Sequence, residues 1–248
     1  MGKVALITGA GRGIGRATAR LAAEKGYDVL INYLHEKDAA AETAGSCAEL
    51  GVRTAVFAAD VAEPEAVARM FAHCEATLGR PSLLVNNAGI IGRAGRLEDL
   101  DDDALQRTFA VNVLGAITCC RHAIAAMSRD RGGDGGVIVN ISSIAAVLGS
   151  PGEYVHYAAS KAALETLTIG LAKEVGPQGI RVNAVRAGTT DTDIHVRSGN
   201  PDRPGIVART APLRRTALPR DIAEAVVWLA SDAASFVTGA VLNVSGGL

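Results

Sequence analysis

Short apolar runs of strand length alternate with helical patterns along the whole chain, which predicts an α/β protein. The expected architecture is a single doubly wound parallel sheet of about seven strands, with helices on both faces. Two further observations favour one such domain over 1–248. The first strand, Lys3-Val-Ala-Leu-Ile-Thr8, runs directly into the glycine turn Gly9-Ala-Gly11-Arg12-Gly13-Ile14-Gly15 and a helix. The length of 248 residues suits a single α/β domain and suffices to bury a core without disulfides.

After the glycine turn, Ile14, Ala17, Thr18, Leu21 and Ala22 fall on one helical face until Gly26 ends the helix. Strand, glycine turn and helix form the first half of a dinucleotide-binding unit. Glycines let the backbone approach a pyrophosphate, and the free N–H groups at the helix start carry partial positive charge. The spacing is Gly-x-x-x-Gly-x-Gly, so Gly9, Gly13, Ile14 and Gly15 are the candidate phosphate-facing residues. The second strand is Asp28 to Tyr33, and the residue ending such a strand faces the adenosine ribose. Asn32 and Tyr33 stand there, and no Asp or Glu occurs before Glu36. Arg12, in the turn, suits a 2′-phosphate, so NADP is the expected cofactor and NAD the alternative.

A helix is expected from Ala39 to Leu50, then a third strand from Arg53 to Ala59, closed by Asp60 and Val61. Pro64 opens the next helix, as proline favours a first turn, and Gly79 to Pro81 ends it. Ser82 to Val85 is a fourth strand whose carboxyl end carries Asn86, Asn87, Ala88 and Gly89, where ligands of open parallel sheets bind. Asp101, Asp102 and Asp103 cap a long helix that runs through Phe109, Val113 and Ile117 to about Met127. Asn112 lies inside it among apolar neighbours, and an unpaired buried amide would cost on the order of 1 to 3 kcal/mol. Asn112 is therefore a structural hydrogen-bonding hub or part of a site.

The fifth strand, Val137 to Ile141, carries Ser142 and Ser143 at its end, and the loop Ile144 to His156 leads to a helix from Tyr157 to about Val175. Ile180 to Val185 is the sixth strand, followed by Arg186 to Thr192. Four prolines make the stretch of about 193–219 irregular, and it is read as a substrate lid. Its arginines, among them Arg197, Arg203 and Arg209, either contact an anionic substrate or are simply exposed. Arg220 to Ser231 forms a final helix and Gly239 to Val244 a last strand.

Tyr157 and Lys161 are four apart on a helix and thus side by side. A phenol of ordinary pKa near 10 beside a cation is drawn towards the working pH, where it can exchange a proton with an alcohol or carbonyl oxygen. The formal net charge of -1 gives no basic field for nucleic acid. Of the four cysteines, none forms a Cys-x-x-Cys pair and no His cluster joins them, so no metal site is expected. No run of about 18 uninterrupted apolar residues suggests a membrane span, and the cytoplasm is the expected compartment.

Taken together, Thr8-Gly9-x-x-x-Gly13-x-Gly15, Asn86-Asn87-Ala88-Gly89, Asn112, a serine ending the fifth strand and Tyr157-x-x-x-Lys161 closely resemble the short-chain dehydrogenase/reductase family. The resemblance covers essentially the whole chain and implies a Rossmann-like fold and hydride transfer between a nicotinamide cofactor and a small carbonyl or alcohol substrate. It further implies that Tyr157 is the general acid/base and that Lys161 lowers its pKa and holds the nicotinamide ribose. Ser143 would orient the substrate oxygen, with Ser142 as the alternative, and Asn112 would support a proton-relaying water. Asp60 and Val61 would flank adenine, Asn86, Ala88 and Gly89 would line the nucleotide, and Thr190 and Thr192 would lie near the carboxamide. A homotetramer is the family's implied assembly. Tyr154 is followed four residues later by Ala158 and is set aside as an acid/base, and Ala187 stands where the family usually has proline. A catalytically silent NADP-binding sensor or scaffold is the competing reading, since function resides in sites rather than folds.

Overall fold

The structure, a computed structural model, describes residues 2–194 and 198–248. Seven strands, β1 (Lys3–Ile7), β2 (Tyr27–Tyr33), β3 (Thr54–Ala58), β4 (Leu83–Asn86), β5 (Gly136–Ser143), β6 (Ile180–Ala187) and β7 (Val241–Val244), form one sheet. Their order is β3-β2-β1-β4-β5-β6-β7. Every neighbouring pair is parallel, as predicted. Helices α1 (Gly13–Glu24), α2 (Lys37–Ala48), α3 (Pro64–Thr77), α4 (Asp102–Phe109) and α5 (Ala116–Met127) fill the first half of the chain. The short α6 (Ala145–Leu148), then α7 (Val155–Val175), α8 (Arg203–Thr210) and α9 (Pro219–Ala230), complete the set among the described residues.

The strands read as continuous apolar runs because both faces of the sheet are covered. Pleating sends alternate residues to opposite layers. Val4 and Leu6 join Met70, Phe71, Cys119 and Ala123 on one side, while Ala5 and Ile7 join Ala19, Ala22, Ile222 and Val226 on the other. Fully burying a Leu or Ile side chain contributes roughly 1.5 to 3 kcal/mol, so Leu6, Ile7, Leu83 and Leu84 fix the middle of the sheet. β1 lies between β2 and β4, so the chain winds away from it in both directions and leaves a crevice beyond the carboxyl ends.

Three elements differ from the sequence expectation. The helix expected from 101–103 to Met127 is interrupted by a π-helical segment, Ala110–Gly115, with Asn112 inside it. The Tyr157 helix begins two residues earlier, at Val155, so Tyr157 sits in its first turn. Within the stretch expected to be irregular, α8 forms with Pro204 in its first turn, where the missing N–H costs nothing. The span Asp102–Met127 is long and apolar enough to cross a membrane by length and composition alone, with 44% of that window buried. Its inner face, including Val111, Asn112, Cys119, Cys120 and Ala123, is buried in the protein.

Candidate active site

The turn between β1 and α1 is shaped by glycine where no other residue would fit. Gly9 and Gly13 hold φ of 62° and 53°, a region that side chains disfavour. A Cβ on Gly15 would lie 2.4 Å from the Gly9 carbonyl oxygen and 2.5 Å from Asn87 Nδ2. The first N–H groups of α1 have no side-chain cap, and the preceding Arg12 is extended, so this end remains available to an anion. Thr8 Oγ1 accepts from the N–H groups of Asn87 and Ala88, both at 3.0 Å. Asn87 Nδ2 donates to the carbonyls of Thr8 and Gly9 at 2.9 and 3.0 Å. The two side chains thereby bracket the turn against the end of β4.

A cleft of 880 Å³ runs over the carboxyl ends of the strands. It is lined by Gly9, Arg12, Gly13 and Ile14, by Asn32 and Tyr33, and by Asp60 and Val61. Ala88, Gly89, Ser143, Tyr157, Lys161, Thr190 and Thr192 line it as well. Gly15 and Asn112 are not on its surface and act from behind it. The Asp60 carboxylate accepts from Arg107 Nη2 at 2.7 Å and from the Ala62 N–H at 2.9 Å. Thr190 Oγ1 donates to the Gly188 carbonyl at 3.0 Å.

Three expected cofactor residues are otherwise engaged. Asn86 does not line the cleft: its Nδ2 donates to Asn140 Oδ1 at 2.9 Å and lies 3.3 Å from Cys120 Sγ, inside the protein. The strand's period of two turns Asn86 inward and leaves Asn87 for the cleft. Asn32 touches the cleft, but its Oδ1 accepts from the Gly9 N–H at 3.1 Å and its Nδ2 donates to the Ala59 carbonyl at 3.0 Å. Its amide is a backbone bracket. Arg12 Nη1 is 2.8 Å from Glu36 Oε1, so the guanidinium expected to face a 2′-phosphate already has a carboxylate beside it.

At the other end, the two candidate serines separate clearly. Both border the cleft, but Ser142 is buried and donates to Glu165 Oε1 at 2.7 Å, whereas Ser143 is partly exposed and its hydroxyl is near enough to act on the Tyr157 phenol. Ser143 Oγ also accepts from the Ala145 N–H at 3.2 Å, a bond made by the turn into α6. The Lys161 ammonium lies 5.7 Å from the centre of the Tyr157 ring and donates to the Ile141 carbonyl at 2.8 Å. Burial pushes this ammonium down to about 8. Tyr157 keeps part of its surface on the cleft, yet protein crowds its other sides, and that desolvation pushes the phenol above its ordinary value while the nearby Ser143 hydroxyl pulls it down. Among the chain's own groups, desolvation thus outweighs the downward pull expected from Lys161.

Asn112 is 1% exposed and its side chain is fully occupied. Nδ2 donates to the Ile90 carbonyl at 2.8 Å and to Ser160 Oγ at 3.0 Å, and Oδ1 accepts from the Ile90 N–H at 2.9 Å. A Cβ on Gly89 would lie 3.3 Å from both Asn112 Oδ1 and Lys161 Nζ, so glycine is what lets the segment after β4 close against α7.

Sequence reasoning placed Asn87 at the ligand end of β4 without giving it a role, and it missed Ser160 and the part played by Tyr154. Tyr154 is buried, lines the cleft and carries the Arg203 guanidinium 5.2 Å from its ring centre. Arg203 also pairs with Glu153, so this arginine lines the cleft with a carboxylate already beside it. Arg209 is exposed and does not line the cleft, and Arg197 lies outside the described residues. Among the described residues, no group of three or more His, Cys, Asp or Glu side chains is set to hold a metal ion.

Residues 9–248 match a family model described as enoyl-(acyl carrier protein) reductase. The uncharacterized oxidoreductase YgfF of Escherichia coli (strain K12) is 45% identical over 244 residues, covering 98% of this chain and 99% of that protein. The L-rhamnose 1-dehydrogenase (NAD(P)(+)) of a Sphingomonas species is 41% identical over 250 residues, covering 100% and 96%. In structure, a short chain dehydrogenase from Burkholderia cenocepacia J2315 in complex with NADP superposes with a TM-score of 0.90 at 35% identity, over 99% of this chain and 97% of that one. Likeness of this extent, along nearly the full length of the chain and of its relatives, makes the chain a member of the short-chain dehydrogenase/reductase family of oxidoreductases.

Proposed function

We propose that the chain is an NADP-dependent oxidoreductase that moves hydride reversibly between the cofactor and a carbonyl compound or secondary alcohol, with Tyr157 as general acid/base. The observation that carries this reading is the convergence of Ser143, Tyr157 and Lys161 on the same cleft as the glycine turn. The uncapped start of α1 and the left-handed backbone of Gly9 and Gly13 on the cleft suit a pyrophosphate. The NADP complex of the Burkholderia relative and the NAD(P)(+) use of the Sphingomonas one agree with a nicotinamide cofactor.

When bound, the nicotinamide supplies or takes up the hydride. Ser143 and Tyr157 donate hydrogen bonds to the substrate carbonyl oxygen, where negative charge develops during reduction. Tyr157 then gives its proton to that oxygen, and in oxidation takes the alcohol proton back. Lys161 offers its ammonium to the nicotinamide ribose and to the phenolate. Asn112 supports the proton relay by fixing the Ile90 segment to α7.

The chain works in this reading as one catalytic domain with a substrate lid at about 193–219, latched by Arg203 on Glu153 and Tyr154. It assembles as a homotetramer, supported by exposed Phe109, Leu114 and Ile169 on the helices from Asp102 and Val155. It resides in the cytoplasm, in keeping with four free, buried cysteines. Turnover of NADPH and NADH across a panel of carbonyls, by the native chain and by Tyr157→Phe, tests the function. Nucleotide binding without turnover on any of them would instead indicate a sensor.

A further inference from the structure

Glu165 stands one helical turn beyond Lys161, so Tyr157, Lys161 and Glu165 follow one another along the same face of α7. Glu165 is only 8% exposed. Its Oε1 accepts from Ser142 Oγ at 2.7 Å and from Arg186 Nε at 2.9 Å, and its Oε2 accepts from Arg186 Nη2 at 2.7 Å. One carboxylate therefore joins α7, the end of β5 and the end of β6. Neither Glu165 nor Arg186 lines the cleft, so neither reaches substrate or cofactor.

The segment it holds is the one that carries the chemistry. Ser142 Oγ also lies 3.4 Å from the Lys161 carbonyl, and Lys161 Nζ donates to the Ile141 carbonyl at 2.8 Å. Lys161 is thus attached to Ile141 and Ser142 by its main chain and by its ammonium, and the next residue is Ser143. In the β5–β6 register Ser142 faces Arg186 and Ser143 faces Ala187. Stability alone is a weak account of such a pair, because buried ion pairs can often be replaced by apolar residues of similar volume without loss.

We propose that Glu165 and Arg186 are positioning residues that act through Ser142 to hold Ser143 and the Lys161 ammonium in register with the Tyr157 phenol. This rests on the hydride-transfer reading above. An error of about 1 Å in such an arrangement lowers rate by roughly 100-fold.

The test compares the full-length protein with Ser142→Ala, Glu165→Met and the double variant Glu165→Met/Arg186→Met. NADPH turnover with a substrate of the native protein, NADPH binding by fluorescence and melting temperature are measured for each. The expected result is kcat lowered roughly 10- to 100-fold in all three, with the NADPH dissociation constant within about 3-fold of native. Melting temperature falls in Glu165→Met, which leaves the Arg186 charge unpaired, and returns in the double variant while kcat stays low. Recovery of kcat together with melting temperature would overturn the proposal, and so would native kcat in Ser142→Ala. A loss in Ser142→Ala as deep as in Tyr157→Phe would also overturn it, by marking Ser142 as the reacting hydroxyl. Should the double variant not fold, Ser142→Ala alone decides. A native protein that binds NADPH yet turns over nothing refutes the underlying reading instead.

Discussion

Arg12 and Glu36 meet at the rim of the cleft, Nη1 to Oε1 at 2.8 Å, each side chain 37% exposed. The pair brings together the cation that favours a 2′-phosphate and the first carboxylate after β2, which would repel one. In the proposed function, cofactor choice rests on a balance between these two neighbours. A charged hydrogen bond contributes about 1.5 to 3 kcal/mol, so Arg12→Ala is expected to lower kcat/KM with NADPH roughly 10- to 100-fold and to change it with NADH little. Glu36→Gln removes the repulsion and raises the NADPH/NADH ratio several-fold. Steady-state kinetics with both cofactors decide, and an unchanged ratio in both variants would refute the assignment.

Ser143 and Tyr157 both line the cleft. Tyr157→Phe keeps the ring and deletes the proton, and kcat is expected to fall about 100- to 10,000-fold. Ser143→Ala removes one donor to the developing oxyanion, for a loss of about 100- to 1,000-fold. Both variants should bind NADPH as the native protein does and melt within a few degrees of it. Wild-type kcat in Tyr157→Phe would show that the proton comes from elsewhere.

The sheet was readable in advance because each strand is a short, largely apolar run set between helical patterns. The glycine turn and the Tyr157–Lys161 spacing were readable because backbone space and helical period impose them. The first thing that stayed hidden was strand facing. Adjacent residues on a strand face opposite sides, so a pair of neighbouring asparagines does not disclose which member meets the cleft until the register is known. Asn86 and Asn87 were such a pair, whereas Ser142 and Ser143 both border the cleft and differ in that the Ser142 hydroxyl is spent on Glu165. The π segment at Asn112 was hidden because one extra residue per turn leaves the composition of a helix unchanged. Helix α8 was hidden because Pro204 and Gly205 look like loop residues until the proline is seen in the first turn. The Arg12–Glu36 pair required two segments, 24 residues apart, to meet.

Arg203, in the first turn of α8, lies against the Tyr154 ring and pairs with Glu153, so one side chain fastens α8 to the start of α7. A cation–π contact contributes about 0.5 to 2 kcal/mol and a partly exposed ion pair up to about 1 kcal/mol. Arg203→Ala is expected to raise substrate KM roughly 5- to 30-fold while NADPH binding stays near native, because the latch lies at the substrate end. Glu153→Gln should act in the same direction and more weakly. If Arg203→Ala left KM unchanged and lowered NADPH affinity, the latch would be serving the nucleotide.

The Lys161 ammonium is pushed by burial from an ordinary 10.5 to about 8. Below pH 8 the folded and unfolded chains both carry this proton, and the folded chain bears the full cost of burying the charge. Between 8 and 10.5 the unfolded chain binds more protons than the folded one, so stability rises with pH over that window. Lys161→Met has no such group and no such rise. Tyr157 and the buried cysteines, whose values burial raises, are common to both proteins and cancel in the comparison. Urea unfolding without nucleotide at pH 7, 8.5 and 10 should therefore show the native chain gaining on Lys161→Met by up to about 3 kcal/mol, the equivalent of a shift of roughly two units. Parallel stability curves would mean that Lys161 keeps its ordinary affinity for the proton. In that case its ammonium would remain fully charged across the working range, and the pH dependence of turnover would belong to Tyr157 alone.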